Sequence, residues 1–172
     1  MVANLNSNSV ALAGEFAVLS QLALRGYDAN LTLGHTKNVD ILVSHPMTGK
    51  MFKLEVKTNH KNNKSSKSSS KLFGNFVSAW MMNEKHESIK DPNLYYCFVN
   101  ISTNAQSFRF FIVPSIVVAQ YVQGQHKLWL KDKPSRSHTT KMRTFRMGLK
   151  SEKYLIQTPF VEKYENNWNF KS

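Results

Sequence analysis

Cysteine is almost absent from this chain: Cys97 is the only one in 172 residues. No internal disulfide can form, zinc sites built on several cysteines are excluded, and a reducing cytoplasm is the simplest setting. Acidic residues are also scarce, 11 Asp and Glu against 23 Lys and Arg, which leaves a net charge of +12. No apolar run approaches the roughly 18 residues of a membrane span, and the N-terminus lacks a basic segment followed by an apolar one. Neither a membrane span nor a signal peptide is expected. A Gly-rich phosphate cradle, a G-x-S-x-G elbow and metalloprotease spacing of the six histidines are all missing. No nucleotide cofactor is therefore expected, and no repeat of 20–50 residues is visible.

What is present can fold. Apolar residues make up 41% of the chain, enough for a core, and the length suits a single domain spanning residues 1–172. An excess of positive charge this large points to a polyanionic partner, because phosphate contacts dominate nucleic-acid affinity. A merely soluble basic surface is the bland alternative. An anionic membrane is disfavoured, since no basic amphipathic helix with a bulky apolar face is evident.

The segment Phe52-Lys53-Leu54-Glu55-Val56-Lys57-Thr58 alternates apolar and polar residues and predicts a strand. Glu55 and Lys57 then share one face, Leu54 and Val56 the other. Upstream, Val39-Asp40-Ile41-Leu42-Val43 reads as a second strand, and the turn residues Pro46 and Gly49 between them predict a hairpin. Folding back near Met47 places Asp40 opposite Leu54 or Glu55. Opposite Glu55, the two Cβ atoms would lie roughly 5 Å apart. Carboxylates that close repel unless a proton or cation intervenes, and a hard, oxygen-ligated ion such as Mg²⁺ suits the position.

Val10 to Arg25 predicts a helix closed by Gly26, with Ser7, Asn8 or Ser9 available as its N-cap. Leu12, Phe16, Leu19, Leu22 and Ala23 form its expected apolar stripe, and Glu15 falls inside it. A carboxylate there either points into a site with Asp40 and Glu55 or reaches solvent from the stripe's edge.

Glu15, Asp40, Glu55 and Lys57, in the order helix, strand, strand, strand, helix, strand over the first 115 residues or so, resemble the PD-(D/E)xK nuclease superfamily. Its restriction-endonuclease-like fold also includes Holliday-junction resolvases. Val39 stands where the name-giving proline would be. The resemblance implies an α/β fold with a three-layer α-β-α core, a central mixed sheet flanked by helices. It further implies a Mg²⁺-dependent endonuclease, with Mn²⁺ as a substitute ion, acting on duplex or branched DNA, and a homodimer as the common assembly. In that reading Asp40, Glu55 and the Val56 carbonyl hold the ion and Glu15 completes the acidic cluster. Lys57 orients the attacking water and neutralises the scissile phosphate. The alternatives are a catalytically inactive nucleic-acid-binding module of the same fold, and a nuclease acting on RNA.

The rest of the chain supplies charge. Gly34 to Asn38 forms a polar loop in which His35 and Lys37 either touch a phosphate or are simply solvated. Residues from about 59 to 71 hold Lys61, Lys64, Lys67 and Lys71 among serines and asparagines, with no acid and no apolar residue between His60 and Lys71. This stretch predicts an exposed loop, contacting DNA or serving as a linker. Leu72 to Lys90 is expected to be one or two helices, from Phe73, Phe76, Val77, Trp80 and Met81 at helical spacing. Leu94 to Ile101 is expected to be a central strand with Cys97 as buried filler. Phe108 to Val113 follows as another strand, and Pro114 is expected to open a helix running to about Val122. The basic extension at about 125–172 includes Lys141 and Arg143 and reads either as a second nucleic-acid surface or as the positively charged face of ordinary structural elements. Within it Lys127 to Leu130 and Met142 to Met147 read as short strands or loops, and Phe160 to Trp168 as a closing helix.

Overall fold

In a computed structural model, residues 6–32, 38–60, 68–105, 107–133, 135–136 and 138–170 are described. In chain order the elements are α1 (Ser7–Ala23), β1 (Asp28–Leu31), β2 (Ile41–Ser44), β3 (Met51–His60), β4 (Ser68–Ser70) and β5 (Gly74–Asn83). They continue with β6 (Leu94–Ile101), β7 (Phe108–Pro114), α2 (Ser115–Asp132), β8 (Met142–Gly148) and α3 (Val161–Tyr164). The sequence reads most simply as one domain; the chain's contacts fall into two compact units. One comprises residues 1–64, 92–114 and 165–172, and the other residues 65–91 and 115–164.

The first unit is a mixed α/β structure. Its five-stranded sheet has the order β1-β2-β3-β6-β7, with β3 and β6 parallel and every other neighbour pair antiparallel. All eight residues of β6 are buried, as a continuous apolar run between two neighbouring strands requires. Phe52, Leu54 and Val56 of β3 and Tyr95, Cys97, Val99 and Ile101 of β6 form one core with Val18 and Leu22 of α1. Trp168 and Phe170, near the end of the chain, belong to the same core.

α1 is capped by Asn6, whose side chain accepts from the Ser9 N–H at 2.8 Å, one residue before the expected caps. Gly26 closes the helix at φ 77°, a left-handed geometry that glycine adopts without cost. The expected stripe is shifted. Gly14, Val18 and Leu22 are the buried residues, whereas Leu12 and Phe16 are about half exposed. The reason is close approach: a Cβ on Gly14 would run into the Thr58 hydroxyl and lie 2.9 Å from Thr58 Cβ. Gly14 therefore sits where the helix approaches β3 most closely, and Val18 and Leu22 rather than Leu12 and Phe16 enter the core.

The second unit carries the antiparallel sheet β4-β5-β8, with α2 packed on β8. The helix expected over Leu72 to Lys90 is instead the ten-residue strand β5 followed by a 3-10 turn, Glu84–Glu87. Its apolar period is two, with Ser78, Trp80 and Met82 buried, and a register shift between Phe76 and Ser78 disguises it. Pro114 ends β7 rather than opening a helix. α2 runs on to Asp132, so Lys127 to Leu130 are helical. Met142 to Met147 do form a strand, β8. Of Phe160 to Trp168 only the four residues of α3 are helical.

Candidate active site

The hairpin register brings Asp40 to Glu55. Ile41 lies opposite Leu54, so the next position along sets Asp40 against Glu55, as one of the two expected registers had it. Between the strands the His45 N–H donates to the Lys50 carbonyl at 2.9 Å, and Gly49 takes φ 65°. Asp40 is held by the partner strand: its N–H donates to the Leu54 carbonyl at 2.8 Å, and its Oδ2 accepts the Val56 N–H at 2.6 Å. A carboxylate accepting a backbone N–H in this way is fixed in direction as well as position.

Glu55 is 3% exposed, and its Oε1 lies 2.6 Å from Lys57 Nζ. Alternation along β3 puts this pair on the face opposite Leu54 and Val56. A buried carboxylate needs a countercharge, and Lys57, 29% exposed, supplies it while reaching solvent. Tyr96 lies beside Glu55 in the parallel β3–β6 ladder. Burial first, then the Glu55 charge, hold its phenol protonated far above the ordinary value. This neighbour was not legible beforehand, because parallel register cannot be read from a single chain.

Glu15 is half-buried on α1. Its carboxyl is raised above its ordinary value by burial, then by the Asp40 charge, while Lys57 pulls it back down. All four expected residues thus belong to one electrostatic neighbourhood within the first unit. Cys97 is fully buried, and burial pushes its thiol far up, which suits a packing role rather than a nucleophile.

The donor set is all oxygen, and the repulsion between Glu15 and Asp40 is what a hard cation relieves. Oxygen donors of this kind are those that Mg²⁺ takes. Among the described residues, however, no group of three His, Cys, Asp or Glu is drawn together as a metal would draw it.

The basic residues divide differently. Lys37, Lys61, Lys64 and Lys67 lie outside the described residues, as does His35. Lys71 is exposed in the turn between β4 and β5. Lys141 is 73% exposed, with Nζ 3.7 Å from Glu84 Oε1. Arg143 points inward: it pairs with Glu87 and donates to the Thr140 and Met142 carbonyls at 2.7 and 2.9 Å. No helix of the described residues is long and apolar enough to cross a membrane.

No protein-family model matches the chain, and no curated protein matches it. Among solved structures it is similar to a bacterial homing endonuclease, at 12% identity and a TM-score of 0.46, over 95% of this chain and 88% of the other. A likeness at that level carries no argument about activity; the site's own geometry has to.

Proposed function

We propose that this protein is a metal-assisted nuclease that hydrolyses phosphodiester bonds of DNA. The observation that carries the reading is the Lys57–Glu55 pair, 2.6 Å apart, across the hairpin from a carboxylate pinned by the Val56 amide. Phosphodiester hydrolysis needs a positioned water, positive charge against the phosphate oxygens and assistance to the leaving oxygen. Asp40 and Glu55 would hold Mg²⁺, with Glu15 and the Val56 carbonyl as further oxygen donors. The ion, when bound, would supply Lewis-acid stabilisation of the phosphate.

The chain's own residues do the rest. Lys57, partly exposed beside a buried acid, holds the attacking water with its ammonium and neutralises the scissile phosphate. Glu55 fixes the direction of that ammonium. Asp40, anchored by the strand amide, keeps its carboxylate aimed at the same point. Glu15, which feels the charges of both Asp40 and Lys57, adds a carboxylate to the same neighbourhood. The +12 net charge draws the polyanion in.

A second reading is a nucleic-acid-binding module without turnover. Two observations favour it: Lys57 is already engaged by Glu55, and no three-residue metal group exists among the described residues. Incubation with plasmid, linear duplex, single-stranded and four-way-junction DNA, and with RNA, separates the two. Each is run with Mg²⁺, Mn²⁺ or EDTA. The nuclease reading expects metal-dependent cleavage of DNA. Salt-sensitive binding without cleavage of any substrate would leave the module, and cleavage of RNA alone would move the substrate class.

A further inference from the structure

We propose that a cleft in the second unit is a phosphate-binding site that takes the backbone of DNA; its choice of polymer rests on the nuclease reading above. The cleft encloses about 420 Å³ between α2 and β8, and its lining includes Arg136, Arg143, Arg146 and His126 but no Asp or Glu. Three guanidiniums around one cavity is an arrangement suited to an oxyanion.

The three arginines are not equivalent. Arg143 is committed to Glu87 and two backbone carbonyls. Arg136 is paired with Asp132 at 2.9 Å, donates to the Trp129 carbonyl and stacks 4.8 Å over the Trp129 ring. Arg146 has no acidic partner among the described residues. Its guanidinium lies 4.1 Å over Phe73 and 5.5 Å from Phe76, and its Nε and Nη1 make no hydrogen bond among the described residues. The Tyr121 hydroxyl, buried and without a hydrogen-bond partner among the described residues, feels the Arg146 charge. Burial pushes the Tyr121 phenol up to about 12, with the Arg146 charge pulling the other way.

A guanidinium over two aromatic rings, with no acidic partner among the described residues, is positioned at a cost, and an anion in the cleft recovers that cost. The surrounding field agrees. His126 is held below its ordinary value by burial first and by the Arg143 charge next, with Glu87 opposing and His138 adding to the effect. No carboxylate lines the cleft itself, although Asp132 and Glu87 pair with Arg136 and Arg143 beside it. Thr140 and Thr144 also line it and bring hydroxyl donors to the kind of oxygens a phosphodiester offers.

The test is anisotropy of a labelled DNA duplex against the full chain in EDTA, where no metal-dependent cleavage intervenes, over a range of salt. Arg146→Met keeps the apolar stem over Phe73 and removes the charge; Arg136→Gln is the second variant, and circular dichroism checks that each is folded. Loss of one phosphate contact should weaken binding roughly tenfold and reduce the salt slope by about 0.9. Unchanged affinity and slope in a folded variant would overturn the site. Inorganic phosphate forms a separate arm. If it raises the Tm of the wild type but not of Arg146→Met while DNA binding ignores the substitution, the site takes free phosphate and the proposal fails. DNA bound through Arg146 by a chain that never cleaves would keep the site and remove the nuclease reading. Cleavage by wild type with unchanged binding by both variants would do the reverse.

Discussion

The Val56 N–H donates to Asp40 Oδ2 at 2.6 Å, so a side chain ahead of β2 completes the hydrogen bonding of the strand that bears Glu55 and Lys57. That bond gives Asp40 a structural role beside the chemical one proposed for it. Asp40→Ala should leave the Val56 amide unsatisfied and cost about 1–3 kcal/mol. Asp40→Asn retains an oxygen acceptor and should cost distinctly less, while abolishing cleavage through the lost charge. Urea unfolding of the two variants measures the difference; equal losses would mean that the amide bond contributes nothing.

Glu15 predicts a pH dependence of stability. Its folded carboxyl is raised above the unfolded value of 4.5, first by burial and then by Asp40. The native state therefore binds more protons than the unfolded one across that interval. Its stabilising contribution is present below 4.5 and is lost as pH rises through the folded value. Glu15→Gln should accordingly raise Tm at pH 7 relative to wild type, and the gain should disappear near pH 4. A gain of the same size at both pH values would contradict the assignment.

Two glycines in helices should respond in opposite directions. A methyl on Gly14 collides with Thr58, so Gly14→Ala should destabilise by about 1–3 kcal/mol or more, despite the better helix propensity of alanine. Gly124 in α2 has nothing within 4 Å of an added Cβ. Gly124→Ala should therefore stabilise by about 0.5–1 kcal/mol. Chemical denaturation of both variants reads the contrast, and destabilisation by Gly124→Ala would show that the space beside α2 is not open.

Arg109 and Glu165 join β7 to the C-terminal segment through two bonds, at 2.6 and 2.9 Å. Both side chains are more than a quarter exposed, so Arg109→Ala should cost only about 0.5–1 kcal/mol, and less at high salt. A loss independent of salt would point to packing of the Arg109 stem on Phe111 instead.

The hairpin was legible because its information is local: Pro46 and Gly49 fix the turn, and alternation fixes which side chains share a face. The central position of β6 was legible from its unbroken apolar run. β5 was not, because the register shift at Phe76 and Ser78 interrupts a period of two and leaves Phe73, Phe76, Val77 and Trp80 looking helical. The α1 stripe misled for another reason. Size normally marks the buried face, but here the backbone approach at Thr58 demands Gly14, and the bulky Leu12 and Phe16 face outward. Of the proposed site, Glu15, Asp40, Glu55 and Lys57 could be nominated from the sequence, where their spacing and a family resemblance pointed the same way. Tyr96 and the Arg146 cleft could not, since both arise from pairings between distant segments.

If Lys57 acts on a phosphodiester, its removal must slow cleavage more than binding. Single-turnover cleavage of a DNA substrate in Mg²⁺ by wild type and Lys57→Ala, with DNA affinity measured in parallel in EDTA, separates the two. The rate should fall by at least about a hundredfold with affinity changed only a few-fold, the variant remaining folded by circular dichroism. Cleavage by Lys57→Ala at the wild-type rate, or a loss of binding that accounts for the whole loss of rate, would rule that role out.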